Sequence, residues 1–332
     1  MALIREGATL LNVPAFTRTR GPGKKSGEVF FNSAMAFNRD VTVLLTSTLG
    51  PTSFLDAMAA TGAMGIRAGV ESSGEFRLRL NDPYPRALRY MVANSRQNGL
   101  DPELSCLRIS EIWERYDHVD IDPFGSPVPY LSTIRLARRS VSLTATDAPV
   151  LCGLYPKRCL MRYGARNTEK GHRRKELGLR ILLARCVIEG KRYGFDLHPL
   201  LSFYMDHYFR VFLVRGKEAR GKIELVDGVG PVWIGPLHDP QILDNMMKKI
   251  DTLPQQDGRV QKFLGILSEE VKVETNSFYD VDELASMFKM SPPKMDDIIE
   301  RLKSLGFPSS RTHFDPKGLR TEATLSEIKG IL

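Results

Sequence analysis

The chain has 332 residues, 42% of them hydrophobic and 26% charged, with a net charge of +8. Its length predicts two domains, its composition is that of a soluble globular protein, and no apolar run approaches the ~20 residues of a membrane span. The start MALIREGATLLNV lacks a signal-peptide layout and four scattered cysteines make neither a disulfide framework nor a C-x-x-C pair, so a cytoplasmic protein without metal is expected.

In chain order, the stretch up to about Gly27 is polar and contains RTRGPGKK, which reads as a loop or flap. Val29 to Leu49 turns apolar and leads into a folded domain. Ser53-Phe54-Leu55-Asp56 reads as a strand ending on a carboxylate, followed by ATGAMGIRAG, a glycine-punctuated turn into a helix. A second strand runs from Glu75 to Leu80 and ends at Asn81-Asp82; PYPRALRYMVANSRQNGL after it is helical and stops at Gly99. A third strand is placed near Ser105 to Ile109, and a fourth, His118 to Asp122, runs into PFGSP. Strand and helix alternating at these intervals predict a parallel, doubly wound α/β sheet, completed by strands near Val141–Leu143 and Tyr208–Val214.

Between Lys157 and Arg192 stand 12 Lys/Arg and 3 Asp/Glu, an excess as large as that of the whole chain, so this segment is expected to attract a polyanion. Within it, Leu177, Ile181, Ala184 and Ile188 share one face of a helix over Glu176–Glu189 that Gly190 ends. Past about Gly216 short strands are expected at Lys222–Val226 and Val232–Leu237. Asp280-Val-Asp-Glu283 then starts a helix, and Ser291 before Pro292-Pro293 caps a second one ending at Gly306. This pair resembles a helix-turn-helix with THFDP as a wing strand, or a plain helical packing unit.

The chemistry concentrates at strand ends. Asp56 beside the turn of Gly62 and Gly65, with Asp82 on the next strand, suits a nucleoside-containing cofactor, because a strand-end acid can accept ribose hydroxyls. Asp120-Ile-Asp122-Pro123-Phe124 brings a carboxylate, a carbonyl and a flat ring to one place, a set that can hold an exocyclic amine of a base and stack its plane. Alignment of that kind needs no metal. Cys152 and Cys159 read as core or near-core thiols, and His207 as a structural histidine.

The stretches VFFNSAMAFNRD, FLDAMAATGAMGIRAG, LNDPYPRALRYMVANSRQNGL, VDIDPFGSPVPYL, SLTATDAPVLCG, PLLSFYMDHYFRVFLVRG, GPVWIGPLHD and SRTHFDPKGLRT resemble, in order, the tRNA guanine-N2 dimethyltransferases. That resemblance implies a Rossmann-like class I methyltransferase domain over residues 1–215 and a smaller α+β tRNA-binding domain over 216–332 containing the helix-turn-helix-like pair. It implies S-adenosyl-L-methionine as cofactor and guanine 26 of tRNA as substrate, methylated once or twice on N2, with no DNA, no membrane and a monomeric enzyme. Asp122 and Pro123 would hold the amine, and Phe124 and Phe30 would sandwich the base. Arg39 would face the cofactor carboxylate, and Asp56, Thr61 and Gly62 would frame that end. Asp82, with Pro83 beside it, would bind the ribose, and Ser110-Glu111 would lie near the adenine. Met64 stands where the family commonly has an arginine, and GKEARGKIELVDGV replaces a cysteine-rich zinc knuckle. The alternatives are an amino-methyltransferase acting on another RNA or on DNA, and a non-catalytic RNA-binding protein with a degenerate cofactor fold.

Overall fold

The computed structural model describes residues 1–15, 29–72, 76–216, 220–254 and 257–331. The expected flap around RTRGPGKK lies mostly outside the described residues. The residues before it are not loop: β1 (Ala2–Glu6) and β2 (Thr9–Val13) pair as an antiparallel hairpin. Alternation in ALIRE and TLLNV is the period-2 signal for this, short enough to be hidden among polar neighbours.

Helix α1 (Ala36–Leu49) follows and ends on Gly50 at φ +54. Strand β3 (Ser53–Asp56) then leads through Ala60 at φ +49 and Gly62 at φ +81 into α2 (Ala63–Glu71). The glycine in α2 is there for proximity: a Cβ on Gly65 would stand 2.5 Å from a Leu80 methyl and 3.1 Å from Asp56 Cβ. Next come β4 (Arg77–Asn81), α3 (Pro85–Gln97) with proline in its first turn, and β5 (Glu103–Ser105). The third strand is therefore shorter and earlier than expected, because Ile109–Glu111 winds into a 3-10 turn. Strand β6 (Tyr116–Ile121) and β7 (Ala137–Ala145) pair in parallel, and β3 joins β4 and β6 in the same sense.

After β7 come α4 (Ala148–Leu151), α5 (Pro156–Tyr163) and α6 (Arg173–Arg192), then β8 (Leu197–Met205) and β9 (Tyr208–Arg215). The sheet has seven strands in the order β5-β4-β3-β6-β7-β9-β8. It is not wholly parallel, since β9 runs antiparallel to both β7 and β8. A two-residue turn at Asp206-His207 joins β8 to β9, a hairpin that the expected single strand over Tyr208–Val214 missed. The chain reverses its direction of winding between β3 and β6, so their carboxyl ends open the crevice where ligands of such sheets sit.

Beyond residue 216, β10 (Lys222–Val226) and β11 (Gly230–Ile234) form a hairpin, followed by α7 (Pro240–Lys249) and α8 (Arg259–Glu270). The last unit holds β12 (Tyr279–Asp280), α9 (Val281–Phe288), α10 (Met295–Ser304), β13 (Ser309–Thr312), β14 (Asp315–Thr321) and α11 (Leu325–Ile331). Asp280 caps α9 through bonds from the Asp282 and Glu283 N–H groups; α10 starts after Lys294 rather than at the Ser291-Pro292-Pro293 stretch. With β12, β14 and β13 in one small sheet, the helix pair has wing strands.

Packing does not respect the expected boundary at 215/216. Phe37, Val41 and Leu44 of α1 share a core with Phe203 and Phe212 of the sheet and with Leu243, Phe263 and Leu264 of α7 and α8. On the other face, Leu179 and Leu183 of α6 pack with Leu143 and Leu213 of the sheet and with Val232 and Trp233 of β11. Val281, Leu284, Ile298, Leu302 and Ile328 make a core within the last unit.

Candidate active site

At the carboxyl ends of β3 and β6 lies a cavity of about 350 Å³. Asp56, Thr61, Asp122, Pro123, Phe124, Phe30 and Arg39 all line it, although they come from positions up to 94 residues apart, between Phe30 and Phe124. The two aromatics touch edge-to-face, with ring centroids 5.7 Å apart and planes at 71°, and both are exposed. A base between them needs the rings to swing parallel and separate to roughly 7 Å, two stacking contacts of about 3.5 Å each.

The floor is acidic. Asp56 is 1% exposed and its Oδ2 accepts the Gly65 N–H at 3.0 Å; burial first, and then the Asp120 carboxylate, push its pKa well above the usual range. Asp120 is fully buried and takes hydrogen bonds from Arg210 and Ser142 on one oxygen, while its Oδ2 has no hydrogen-bond partner among the described residues. Burial also raises Asp122, with Arg210 and the Thr144 hydroxyl pulling the other way. Arg210 itself is fully buried and donates to Thr144 Oγ1 at 2.7 Å and Thr42 Oγ1 at 3.0 Å. Arg210 thus binds Asp120 and draws on Asp122, while Asp56 is met by the Asp120 and Asp122 carboxyls and one backbone N–H, a balance that welcomes a cationic ligand.

Arg39 is committed elsewhere. Its Nε and Nη2 clasp Glu6 of β1 at 2.5 and 2.7 Å, and Nη2 also reaches the Asn32 carbonyl at 3.1 Å. Nη1 makes no hydrogen bond among the described residues. Burial would raise Glu6, but Arg39 and Arg67 outweigh it and hold that carboxyl low. The hairpin thus sets Arg39 in place, a role no motif in MALIRE announced. Asn94 of α3 does the same for the turn: its side chain donates to Thr61 O at 2.9 Å and Asn12 O at 3.0 Å.

Asp82 lies at the end of β4, where its oxygens accept the Ala60 and Tyr84 N–H groups at 2.8 and 2.9 Å. Burial raises its pKa against those two bonds. Two backbone bonds leave acceptor capacity for a diol. Gly62 sits one residue past Thr61 as the cap of α2, and Pro83 is exposed beside Asp82. Ser110 and Glu111 do not reach the cavity; both are exposed, and Glu111 Oε2 is bound by the Arg108 N–H at 2.8 Å in its own turn. The spacing suggested a strand-end pair, and the 3-10 turn faces it outward.

A family model for N2,N2-dimethylguanosine tRNA methyltransferases matches residues 7–229 and 218–332. The chain belongs to that family. It is 32% identical to a tRNA (guanine(26)-N(2))-dimethyltransferase of Thermococcus kodakarensis, covering 100% of this chain and 99% of the relative. A relative of the same name from Saccharolobus islandicus is 36% identical, with 90% and 89% covered. Among solved structures it is similar to Trm1 from Pyrococcus horikoshii in complex with S-adenosyl-L-methionine, at a TM-score of 0.85, 30% identity, and coverage of 100% and 99%. The fold is that of an α/β methyltransferase with a smaller C-terminal unit.

The family member also has lining residues that its motifs did not flag. Thr146, Asp147, Pro149, Tyr155, Arg158 and Arg162 close the side opposite β3. TATDAPVLCG marked their position without a chemical role, since only the turn after β7 brings them round. His207, expected to be structural, lines the cavity from the β8–β9 turn, and burial lowers its pKa against the pull of Asp206. Cys152 and Cys159 are partly and fully buried, with burial pushing both thiols up to about 11, so neither is a nucleophile. The basic segment is also thinner than its composition suggests: Arg180 is buried against Glu176 at 2.7 Å, and Arg185 and Arg192 both pair with Glu189.

Proposed function

We propose that this cavity is where a tRNA guanine-26-N2-dimethyltransferase meets its cofactor and its base, with Asp122, Pro123, Phe124 and Phe30 holding the guanine. The observation that carries the reading is the meeting in one cavity of two exposed phenylalanines with Asp56 and Asp122, whose carboxyls burial and neighbouring acids push up. S-adenosyl-L-methionine, when bound, supplies a methyl group on a cationic sulfonium. The residues fit such a group: Asp56 and Asp120 offset its charge, Gly65 lets α2 pack close on Asp56, and Asp82 has lone pairs for its ribose.

Asp122 and the Pro123 carbonyl accept the two amine hydrogens of guanine, which aims the nitrogen lone pair away from them and into the cavity. As that nitrogen gains a bond it loses a proton, and Asp122 is the carboxylate placed to take it. Its raised pKa makes it a stronger acceptor than a solvated aspartate. Phe124 and Phe30 cover the base faces and exclude water. Arg39, fixed by Glu6, would direct Nη1 at the carboxylate end of the cofactor, which Thr61 lines and Gly62 backs as the cap of α2. After one methyl is added the same aromatic slot holds the modified base for a second.

Reaching N2 of a guanine inside folded tRNA requires the base to leave its stack. Residues 1–215 carry the reaction centre, and 216–332 together with exposed cations of the Lys157–Arg192 segment hold the tRNA as a monomeric cytoplasmic enzyme. No helix among the described residues is long and apolar enough to cross a membrane. The test is incubation of the protein and labelled cofactor with unmodified tRNA transcripts, ribosomal RNA and DNA. Label on N2 of guanine 26, absent from a transcript with adenine there, is expected; label confined to another nucleic acid overturns the reading.

A further inference from the structure

Helix α5 is seated firmly beside the base slot. Cys159 and Tyr163 are buried, the Tyr163 hydroxyl donates to Asp147 Oδ1 at 2.7 Å, and Arg162 Nη1 donates to Asp147 Oδ2 at 2.8 Å. A third bond, 2.9 Å between Tyr163 Oη and Ser126 Oγ, ties the helix to the loop that carries Phe124. Against this fixed inner face the outer one is unusually apolar: Leu154, Tyr155, Leu160 and Met161 are 56%, 49%, 40% and 85% exposed. Lys157, Arg158 and Arg162 stand among them, and the stretch from Leu154 to Tyr163 has no acid.

Tyr155 and Arg158 both line the cavity, with the Arg158 guanidinium 5.2 Å from the Tyr155 ring centroid. The other two lining arginines have carboxylate partners, Arg39 in Glu6 and Arg162 in Asp147; Arg158 has none among the described residues. An aromatic face with a cation laid on it, open to solvent at the rim of a slot for one base, matches a base plus phosphate and not another protein surface.

The geometry points to a second nucleotide subsite on α5: Tyr155 stacks the base adjoining the extruded guanine, and Arg158 holds the phosphate that links the two. It rests on the reading that guanine enters between Phe30 and Phe124. Taking a base out of the helix bares a face of its neighbour to water, and a ring at the rim covers that face whatever the neighbour's identity. The arginine on the ring presents its N–H groups edgewise to the backbone, where the chain bends out of the stack.

The test compares Tyr155→Ala, Tyr155→Trp and Arg158→Ala with wild type, using transcripts carrying 2-aminopurine at each position flanking guanine 26. Tyr155→Ala and Arg158→Ala are expected to raise KM for tRNA about tenfold, with kcat and cofactor affinity within about twofold. Fluorescence at one flanking position is expected to fall on binding to wild type and Tyr155→Trp but not Tyr155→Ala. Unchanged fluorescence at both positions with wild type, or wild-type KM in both Ala variants, overturns the subsite. Trp113 is the control: it is 79% exposed with Arg135 5.0 Å from its ring, but it precedes β6, at the amino end of the strand whose carboxyl end opens the cavity. Trp113→Ala is expected to be silent, and an equal effect there also overturns the subsite. Phe124→Ala separates the two readings. If it loses activity while the α5 variants behave as wild type, the base slot stands and the subsite falls; if Phe124→Ala keeps full activity, the base slot itself is wrong.

Discussion

Two of the places where the molecule buries charge are built on opposite terms. Where α6 meets α8 and β14, Glu176 takes Arg180 and Arg320 at 2.7 Å each, Arg320 reaches Glu270 at 2.9 Å, and Glu270 takes His313 Nδ1 at 2.7 Å. Two carboxylates match two guanidinia, and burial's tendency to raise Glu270 is overwhelmed by His313 and Arg320, which hold its pKa far below the usual range. At the end of β6 Arg210 binds Asp120, and there burial and neighbouring acids push Asp56 and Asp122 up instead. A balanced buried network holds helices together; an unbalanced one stores a demand for a positively charged ligand. The first is architecture and the second is a site.

The sharpest way to break that contrast is Asp122→Ala. Removing the acceptor at the base is expected to lower kcat about 10²- to 10⁴-fold, with cofactor affinity by calorimetry nearly unchanged. An unimpaired kcat would falsify the role given to Asp122. Next in size, Glu176→Gln leaves Arg180 and Arg320 half-compensated in the interior. It is expected to cost about 3–5 kcal/mol, read as a lower denaturant midpoint.

Asp56→Asn acts with the opposite sign on stability. It relieves the acid surplus, so the ligand-free protein is expected to melt about 2–4 °C higher while binding the cofactor more weakly. The sign follows from linkage. Asp56 has a raised folded pKa, so its protonated form contributes stability fully below the unfolded value near 3.8, and that contribution is lost as pH rises through the folded value. The gain in melting temperature from Asp56→Asn should therefore widen as pH rises from about 4 through the raised folded value. A gain that narrows over that range would mean Asp56 is satisfied in the free protein. Smallest is the acid limb of kcat. Asp122 must be ionised to accept a proton, so the limb should lie above the ordinary aspartate value of 3.8 and vanish in Asp122→Asn.

Legibility in the sequence followed the same division. The strand-ending acids Asp56, Asp82 and Asp122 were readable because each follows a short run with a strand's pattern, and a strand's end is a local property. The β1–β2 hairpin was not, and with it went the partner of Arg39: Glu6 lies 33 residues earlier, and no spacing rule joins them. Ser110 and Glu111 misled for a related reason, since a run that could extend as strand closes instead into a 3-10 turn capped by Glu111. Arg158 looked like a member of a general basic block, and Tyr155 just ahead of that block carried no reading, until the fold turned both toward the slot.

By itself the sequence determined the alternation of β3, α2, β4 and α3, the acids Asp56, Asp82 and Asp122, and the Asp-Pro-Phe corner, because these depend on residues within one or two turns of each other. Tertiary structure alone decided which charges are matched. Arg210 lies 90 residues beyond Asp120, and Arg320 lies 144 beyond Glu176. Whether a buried acid is neutralised or left waiting depends on such distant neighbours, since in a low-dielectric interior the nearest opposite charge sets its state.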